Sequence, residues 1–312
     1  MKTKQKLLPS VHLLEIFMPY RGDEPRMIEV LKKAIAIGYY RGVELGLFFD
    51  RWNRATVRHL IEENNLNLTI FATPYLKDKK MNLNAPTGDL RKQSVEYALS
   101  LISIAADQGC CNIGFPSGDD PGDELRTEAK KCFADSLDIL AEKCREFGMN
   151  LTLEPLDRYA FKKQLIGPMK ESMEWFAPVH QRNPNAFIHW DSAHEALGGP
   201  GLDYLDWSLE YAKPYIAQFH LCDAITDPFH PCFGDLHMDV ATGPRYETEG
   251  FLTPEVGAHL LQKVASFSKP DGVKNTYVSM EVLGHPGDDL WHKEAISRSF
   301  LQACFHLAGL NN

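Results

Sequence analysis

The sequence predicts an α/β protein that folds as a single (β/α)8 TIM barrel over residues 1–312. Two observations lead to this prediction. Eight apolar, strand-like segments alternate with eight amphipathic, helix-like segments, at an average of about 39 residues for each pair, which suits this fold. In addition, the last four strand-like segments each end in a residue type that binds metal ions, and the carboxyl ends of barrel strands meet at one face.

The first half of the chain contains four strand–helix pairs. The strands are expected in SVHLLEIF (10–17), GVELGLFF, LNLTIFATPYL and CCNIGFPSG. The helices are expected in EPRMIEVLKKAIAIG, NRATVRHLIEENN, DLRKQSVEYALSLISIAADQG and ELRTEAKKCFADSLDILAEKCREFG. Gly38 is expected to cap the end of the first helix, and Asn53 the start of the second.

The second half repeats the pattern with one longer connection. The strands are expected in MNLTLE, AFIHWD, IAQFHLCD and NTYVSMEVLG. The helices are expected in PMKESMEWFAPVHQ, GLDYLDWSLEYA, TPEVGAHLLQKVASF and DLWHKEAISRSFLQACFHLAG. The segment from about 224 to 251 is too long for a plain connection and is rich in Asp, His, Pro and Gly. We therefore expect it to be a βα-loop that covers the C-terminal mouth of the barrel.

Composition and charge exclude several classes of partner. The chain is 44% hydrophobic and 24% charged, with a net charge of −9, which argues against a nucleic-acid or anionic-membrane surface. No stretch approaches the roughly 18 consecutive apolar residues that span a bilayer, and no signal-peptide pattern opens the chain, so a cytoplasmic location is expected. The seven cysteines form no CxxC pair and are expected to be reduced thiols. Cys222, two positions after His220, could touch the site described next.

The four strand ends in the second half carry Glu154, Asp191, His220 and Glu281. Alternate side chains of a strand share a face, so each of these residues points the same way as the residue two positions earlier. Those earlier residues are all polar: Thr152, His189, Gln218 and Ser279. Each of these strands therefore has one apolar face and one polar face, and the polar face ends in a residue of a type that binds metal ions.

Three carboxylates and one neutral imidazole suit a single divalent ion, with Mn²⁺ expected first and Mg²⁺, Co²⁺ or Zn²⁺ as alternatives. Positions on the ion would stay open for substrate oxygens. A plainer interpretation is that Glu154, Asp191 and Glu281 are strand-end acids that pair with Arg158 or with helix N-termini. Four ligand types at matching places on four successive strands favour the metal site.

These residues lie in segments that resemble the xylose isomerase-like TIM-barrel superfamily of sugar isomerases and epimerases, most strongly its tagatose/psicose 3-epimerase and hydroxypyruvate isomerase-like branch. The segments are LEPLDR (153–158), WDSAH (190–194), FHLCD (219–223) with GDLHMD (234–239), and SMEVLG (279–284). The resemblance implies that Glu154, Asp191, His220 and Glu281 hold the metal, and that the two glutamates exchange protons with a substrate carbon. It also implies that His194 contacts a substrate oxygen and that the protein is a homodimer or homotetramer.

The implied chemistry is physically sound. A proton next to a carbonyl is too weakly acidic for a carboxylate unless the developing enediolate is stabilised, which a divalent ion can do. Two glutamates on opposite sides of the substrate would invert a carbinol centre, whereas return of the proton to the neighbouring carbon would interconvert aldose and ketose. The expected substrate is a small free sugar or a related polyhydroxy carbonyl compound. No nucleotide cofactor is expected, because no glycine-rich phosphate loop with Lys and Ser/Thr is present.

Two departures from the epimerase branch keep other functions open. Ala160 stands where that branch has a glutamate, and the arginine that follows its strand-seven histidine is missing from residues 223–230. A metal-dependent dehydratase of the inosose or dehydroshikimate type is therefore the second hypothesis, and a non-catalytic sugar-binding barrel the third. An endonuclease is less favoured, because Ala72 and Phe115 stand where the family's AP endonucleases need histidines.

The remaining candidates have two interpretations each. Asp235 and His237 resemble a pair that binds a further metal in AP endonucleases, so His237 could be a substrate contact, a second-metal ligand or a loop-packing histidine. Glu44 could hydrogen-bond the far end of a substrate or pair within the barrel. Arg158, a further candidate at the substrate site, is expected to fix carboxylates rather than bind a phosphate. His12 is expected to be a core histidine.

Overall fold

The computed structural model describes residues 3–86, 88–240 and 250–310. In this part of the chain, eight parallel strands pair in chain order and close into a barrel, which confirms the predicted (β/α)8 fold. The strands are β1 (Leu7–His12), β2 (Gly42–Leu45), β3 (Asn67–Phe71), β4 (Asn112–Pro116), β5 (Asn150–Glu154), β6 (Ala186–Asp191), β7 (Ile216–Leu221) and β8 (Thr276–Met280).

Helices surround the barrel. Those that follow the eight strands are α2 (Glu24–Ile37), α3 (Arg51–Glu63), α5 (Gly88–Asp107), α6 (Asp123–Glu146), α7 (Met169–Arg182), α9 (Gly201–Ala212), α10 (Pro254–Ser266) and α11 (Leu290–Leu307). Three short α-helices and one 3-10 helix lie in the loops after strands: α1 (Leu13–Ile16), α4 (Thr73–Asp78), α8 (Ser192–Gly198) and the 3-10 helix Met18–Tyr20. Within the described ranges, no helix has both the length and the apolar character that crossing a membrane requires.

Two predicted boundaries are wrong, and one cap is confirmed. The predicted strand 10–17 ends at His12, and Leu13–Ile16 forms α1, because a short buried apolar run does not distinguish strand from helix. The N-cap of α3 is Asp50 rather than Asn53, since its carboxylate accepts the backbone N–H groups of Trp52 and Asn53 at 2.9 and 3.0 Å. Gly38 caps α2 in the left-handed conformation, at φ 72°.

Side chains along the strands alternate between an apolar outer face and a polar inner face, as expected. On the outer face, Trp190 and Phe219 stack with ring centroids 4.7 Å apart, and the Trp190 indole donates to Ser208 of α9 at 2.8 Å. On the inner face, Gln218 donates to Glu44. The outer face therefore packs the helices, and the inner face points into the barrel.

Strand register sets which inner residues are neighbours. His12 of β1 is paired in register with Glu44 of β2. Asp191 of β6 is paired with His220 of β7, and His220 in turn with Ser279 of β8. The ligand-type residues of neighbouring strands thus lie at similar heights near the carboxyl ends of the strands.

The loop after β7 folds back towards the barrel. An antiparallel bridge joins Ile225 to Gly234, and the backbone N–H of Leu283 donates to the carbonyl of His237 at 2.8 Å. Asp223 accepts the backbone N–H of Leu252 at 2.9 Å and so ties the two ends of this loop together. Residues 241–249 of the segment expected to cover the mouth lie outside the described residues.

Candidate metal centre

Four side chains from consecutive strands converge at the carboxyl end of the barrel. Glu154, Asp191, His220 and Glu281, hereafter the quartet, each present one ligand atom within 4.8 Å of the others. Asp191 and His220 are each 1% exposed, whereas the side chains of Glu154 and Glu281 are 13% and 9% exposed. The two glutamates therefore form the side of the quartet that is open to a small molecule.

The quartet is part of a larger cluster of ligand-type residues. Among the described residues, three groups of three meet the same distance limit, and each shares at least one member with the quartet. These groups are His12, Glu44 and His220; Glu154, His189 and His220; and His12, Glu15 and Glu281. The quartet is the group that offers four donors.

Asp191 has one oxygen bound and one oxygen free. Its Oδ1 accepts the backbone N–H groups of Ala193 and His194 at 2.8 and 3.0 Å, so the carboxylate caps the start of α8. Its Oδ2 is buried and has no hydrogen-bond partner among the described residues. A buried carboxylate oxygen without a donor is costly, and a bound cation would satisfy it.

Glu44 holds the ring of His220 from inside the barrel. The Nε2 of His220 lies 2.8 Å from Glu44 Oε2, and the Nδ1 lies 3.0 Å from Glu281 Oε2. Glu44 is fully buried and also accepts from Gln218 and Ser279. These contacts fit pairing within the barrel, which is the second of the two roles proposed for Glu44. The Nδ1 of His220 is left to face the other members of the quartet.

Burial and mutual repulsion oppose ionisation of two of the three acids in the quartet. Burial, followed by the repulsion of Glu281, raises the pKa of Asp191 to about 8 and raises the pKa of Glu154 well above its usual value. Burial alone would also raise the pKa of Glu281, but His237 and His220 outweigh burial and hold it well below its usual value. A divalent cation among these oxygens would stabilise the ionised form of all three acids.

Two histidines beside the quartet are kept neutral by burial. Burial lowers the pKa of His189 and of His194, and the attraction of nearby carboxylates does not reverse this shift. Neither ring nitrogen of His189 has a hydrogen-bond partner among the described residues, and its Nδ1 lies 3.9 Å from Glu154 Oε1. The Nε2 of His194 also lies 3.9 Å from Glu154 Oε1. His194 is therefore placed where it could contact a molecule held by Glu154.

The loop after β7 brings a third histidine to the quartet. The Nδ1 of His237 lies 3.3 Å from Glu281 Oε1, and its Nε2 lies 3.1 Å from Asp235 Oδ2. Burial lowers the pKa of His237, but Asp235 and Glu281 outweigh burial and raise it well above its usual value. Cys222 also touches this group, since its thiol donates to Asp235 Oδ1 at 3.3 Å.

Arg158 points to a different set of acids. Its guanidinium pairs with Asp120 at 2.7 Å, with Asp123 at 2.8 Å and with Glu171 at 3.3 Å, around the start of α6 and in α7. It therefore fixes carboxylates, as expected, but not those of the quartet. The role of Arg158 as a substrate contact stays a prediction.

Lys162 is a member of the group around Asp235 and His237, and no sequence pattern indicates this. This residue lies in the loop between β5 and α7, and its Nζ is 2.9 Å from Asp235 Oδ2 and 3.3 Å from His237 Nε2. A single lysine in an irregular loop has no periodicity that could indicate where its side chain points. His12 was assigned to the core, yet its Nε2 lies 3.7 Å from Glu281 Oε1, so it is both buried and part of the cluster.

Comparison with known proteins agrees with this architecture. Residues 31–252 match the model of a protein family described as the xylose isomerase-like TIM barrel. The chain belongs to this family. A search of curated protein sequences gives no significant match to this xylose isomerase-like barrel.

Solved structures resemble this family member over nearly its whole length. D-psicose 3-epimerase from Clostridium cellulolyticum H10, solved with D-tagatose, has a TM-score of 0.66 and 15% identity over 98% of this chain and 100% of its own. The 3-keto-D-glucoside 4-epimerase from E. coli has a TM-score of 0.65 and 14% identity over 96% of this chain and 100% of its own. AP endonuclease family 2 from Brucella melitensis has a TM-score of 0.63 and 18% identity over 92% of this chain and 96% of its own. At these identities the likeness shows the fold.

The contact between Glu44 and His220 leads to a prediction for this xylose isomerase-like barrel. Glu44→Gln should weaken any divalent-metal binding at the quartet by about 10- to 100-fold, because the imidazole of His220 loses the carboxylate that orients its ring. Isothermal titration with Mn²⁺ at neutral pH measures this change. Glu294→Gln is the matched control, since Glu294 is equally buried but accepts from Tyr40 on the outer side of the barrel. Equal affinities in the two variants would show that Glu44 does not orient the ligand.

Proposed function

We propose that this protein is a divalent-metal-dependent isomerase or epimerase of a small free sugar or a related polyhydroxy carbonyl compound. The observation that supports the proposal most strongly is the quartet itself, with Glu154 and Glu281 on its open side. Membership of the xylose isomerase-like family is consistent with this function. So are the fold-level likenesses to D-psicose 3-epimerase and 3-keto-D-glucoside 4-epimerase.

The residues present fit a divalent ion. Three carboxylates and one imidazole form a ligand set for Mn²⁺, which we propose as the preferred ion, or for Mg²⁺, Co²⁺ or Zn²⁺. A bound cation would satisfy the unpartnered Oδ2 of Asp191. It would also lower the raised pKa values of Asp191 and Glu154. When bound, the ion would stabilise negative charge on the substrate's carbonyl and hydroxyl oxygens.

The two glutamates are suited to opposite proton-transfer roles. Their ligand atoms lie within 4.8 Å of each other on the open side of the quartet. A carboxylate can accept a proton from carbon, and a carboxylic acid can return one. We infer that one glutamate removes the proton next to the carbonyl and that the other supplies one, with the roles exchanged in the reverse direction.

The neighbouring histidines are suited to holding the substrate and the base. His194, which lies near Glu154, would contact a substrate oxygen as a neutral imidazole. His237 would hold Glu281 through the contact between Nδ1 and Oε1. We also infer that the described part of the long loop, residues 224–240, covers the substrate, since its residues Asp235 and His237 already contact the site. Exclusion of water would strengthen each of these electrostatic contacts.

A proton-exchange experiment tests the proposed function. The Mn²⁺-loaded protein is incubated in D₂O with a panel of pentuloses, hexuloses and hydroxypyruvate, and the products are identified by NMR and mass spectrometry. Deuterium at the carbon next to the carbonyl, with a new diastereomer or an aldose as product, supports an epimerase or an isomerase. Loss of water identifies a dehydratase instead. If metal is bound but no compound exchanges, the barrel is a binding protein and the proposal is wrong.

A further inference from the structure

The ammonium group of Lys162 lies beside the quartet, within a second set of metal-ligand types. Its Nζ is 2.9 Å from Asp235 Oδ2 and 3.3 Å from His237 Nε2, and these two ligand atoms are 3.1 Å from each other. The Nε2 of His194 lies 3.7 Å from the same oxygen of Asp235. One carboxylate and two imidazoles thus surround a position next to a lysine.

The spacing of Asp235 and His237 suits joint binding of an ion. Zinc binds carboxylate oxygen and imidazole nitrogen at about 2.0–2.2 Å, which places two adjacent ligand atoms roughly 3.0–3.5 Å apart. The separation of 3.1 Å lies in that range. Both ligand atoms, however, already face the ammonium. A divalent ion held by the same two atoms would lie within a few ångströms of a fixed positive charge that the surrounding protein does little to screen.

Hydrogen bonds fix the backbone around Lys162. The carboxylate of Asp157, 1% exposed, accepts the backbone N–H of Ala160 at 3.1 Å and that of Lys162 at 2.8 Å. The side-chain amide of Gln164 donates to the carbonyl of Lys162 at 3.2 Å. The backbone that carries Lys162 is therefore fixed on both sides of the residue.

The charge of Lys162 is also fixed. Its side chain is 20% exposed, and although burial lowers the pKa of the ammonium, Asp235 outweighs burial and raises it above its usual value. Asp235 itself is buried and bonded on its other oxygen to Cys222. A buried carboxylate of this kind requires positive charge beside it, and the ammonium of Lys162 supplies part of that charge together with His237.

We propose that Lys162 permanently fills a second cation position, so that the centre loads one divalent ion at the quartet and none at Asp235 and His237. The inference rests on the proposed metal-binding role of the quartet. It assigns Lys162 a positioning role: its ammonium neutralises Asp235, and Asp235 keeps His237 against Glu281. Replacing the ammonium with a small neutral side chain should turn Asp235 and His237 into a second metal site.

Metal stoichiometry tests this inference independently of catalysis. Wild-type protein, Lys162→Ala, Lys162→Arg and Lys163→Ala are saturated with millimolar Mn²⁺, and bound metal per chain is measured by equilibrium dialysis and elemental analysis. Lys163 is the matched control, because it is the neighbouring lysine and is exposed. We expect one ion per chain in the wild type, in Lys162→Arg and in Lys163→Ala, and two in Lys162→Ala. Electron paramagnetic resonance should show spin coupling between two Mn²⁺ ions in Lys162→Ala alone.

Each outcome supports or overturns the inference. Two ions in the wild type, or one ion in Lys162→Ala, would overturn it while leaving the quartet intact. No ion in the wild type would instead remove the metal-binding role on which the proposed function depends, and this inference with it. Should Lys162→Ala fail to fold, as judged by circular dichroism, Lys162→Gln provides the same loss of charge with less loss of volume. In either background, adding His237→Ala should return the count to one and so locate the second ion.

Discussion

Glu154→Gln and Glu281→Gln are each expected to lower deuterium exchange at the substrate carbon by about 100- to 10,000-fold, the usual contribution of a positioned acid or base. Each change keeps a side chain of nearly the same shape but removes the ionisable oxygen. Ligand atoms of the two glutamates lie within 4.8 Å of each other, and a two-base mechanism needs both residues, because one takes a proton while the other supplies one. NMR in D₂O with an active ketose measures the rate.

The interpretation of this result needs a control for metal loss, because both glutamates are proposed ligands. Elemental analysis should show how much ion each variant retains, and exchange is then compared at saturating Mn²⁺. Glu294→Gln, a change to a buried glutamate on the outer side of the barrel, should exchange at the wild-type rate. Exchange at the wild-type rate in either quartet variant would eliminate the two-base mechanism.

The quartet could be predicted from sequence because strands have a strict period. Alternation along β5 to β8 determines which side chains point inward, and parallel pairing in a barrel brings the ends of neighbouring strands together. Those two rules are sufficient to place Glu154, Asp191, His220 and Glu281 at one mouth. The same alternation places Glu44 of β2 on the inner face, where it accepts from Gln218.

The partners of Glu44 and the position of Lys162 required the structure. Glu44 on β2 meets Gln218 and Ser279 on β7 and β8, and contacts across a barrel depend on its closure and strand tilt rather than on local pattern. Lys162 is held by the hydrogen bonds of Asp157 in an irregular loop, which no periodicity describes. The partners of Arg158 also required the structure, because its position just after Glu154 does not determine the direction of a long side chain that leaves a strand.

Asp191→Asn should separate metal binding from stability. Asparagine keeps an oxygen that can accept the backbone N–H groups of Ala193 and His194, and it is as good an N-cap as aspartate, so α8 should remain formed. The variant presents a neutral amide to the quartet in place of the buried Oδ2. We expect divalent affinity to fall by at least about 100-fold, since loss of a direct ligand should exceed the effect of losing a supporting one. Titration with Mn²⁺ measures this loss.

Without added metal, the same variant should be more stable than the wild type at alkaline pH. The folded-state pKa of Asp191 is raised to about 8, so between about pH 4 and pH 8 the folded wild type binds more protons than the unfolded chain. Its stability therefore falls as pH rises through that window, whereas asparagine does not titrate. We expect the advantage of Asp191→Asn, measured by chemical denaturation in EDTA, to grow by on the order of 5 kcal/mol from acid to alkaline conditions. If the stability advantage of Asp191→Asn did not change with pH, ionisation of Asp191 would not destabilise the folded wild type.

Added metal should stabilise the wild type and leave Asp191→Asn almost unchanged. An ion at about 100 times its dissociation constant stabilises the folded state by about 2.7 kcal/mol, and the variant, with its weaker affinity, gains little at the same Mn²⁺ concentration. The stability difference between the two proteins in EDTA at alkaline pH should therefore narrow when Mn²⁺ is added, which thermal denaturation measures. That dependence on metal is expected of a residue positioned for a ligand rather than for the fold, because no described residue satisfies the second oxygen of Asp191.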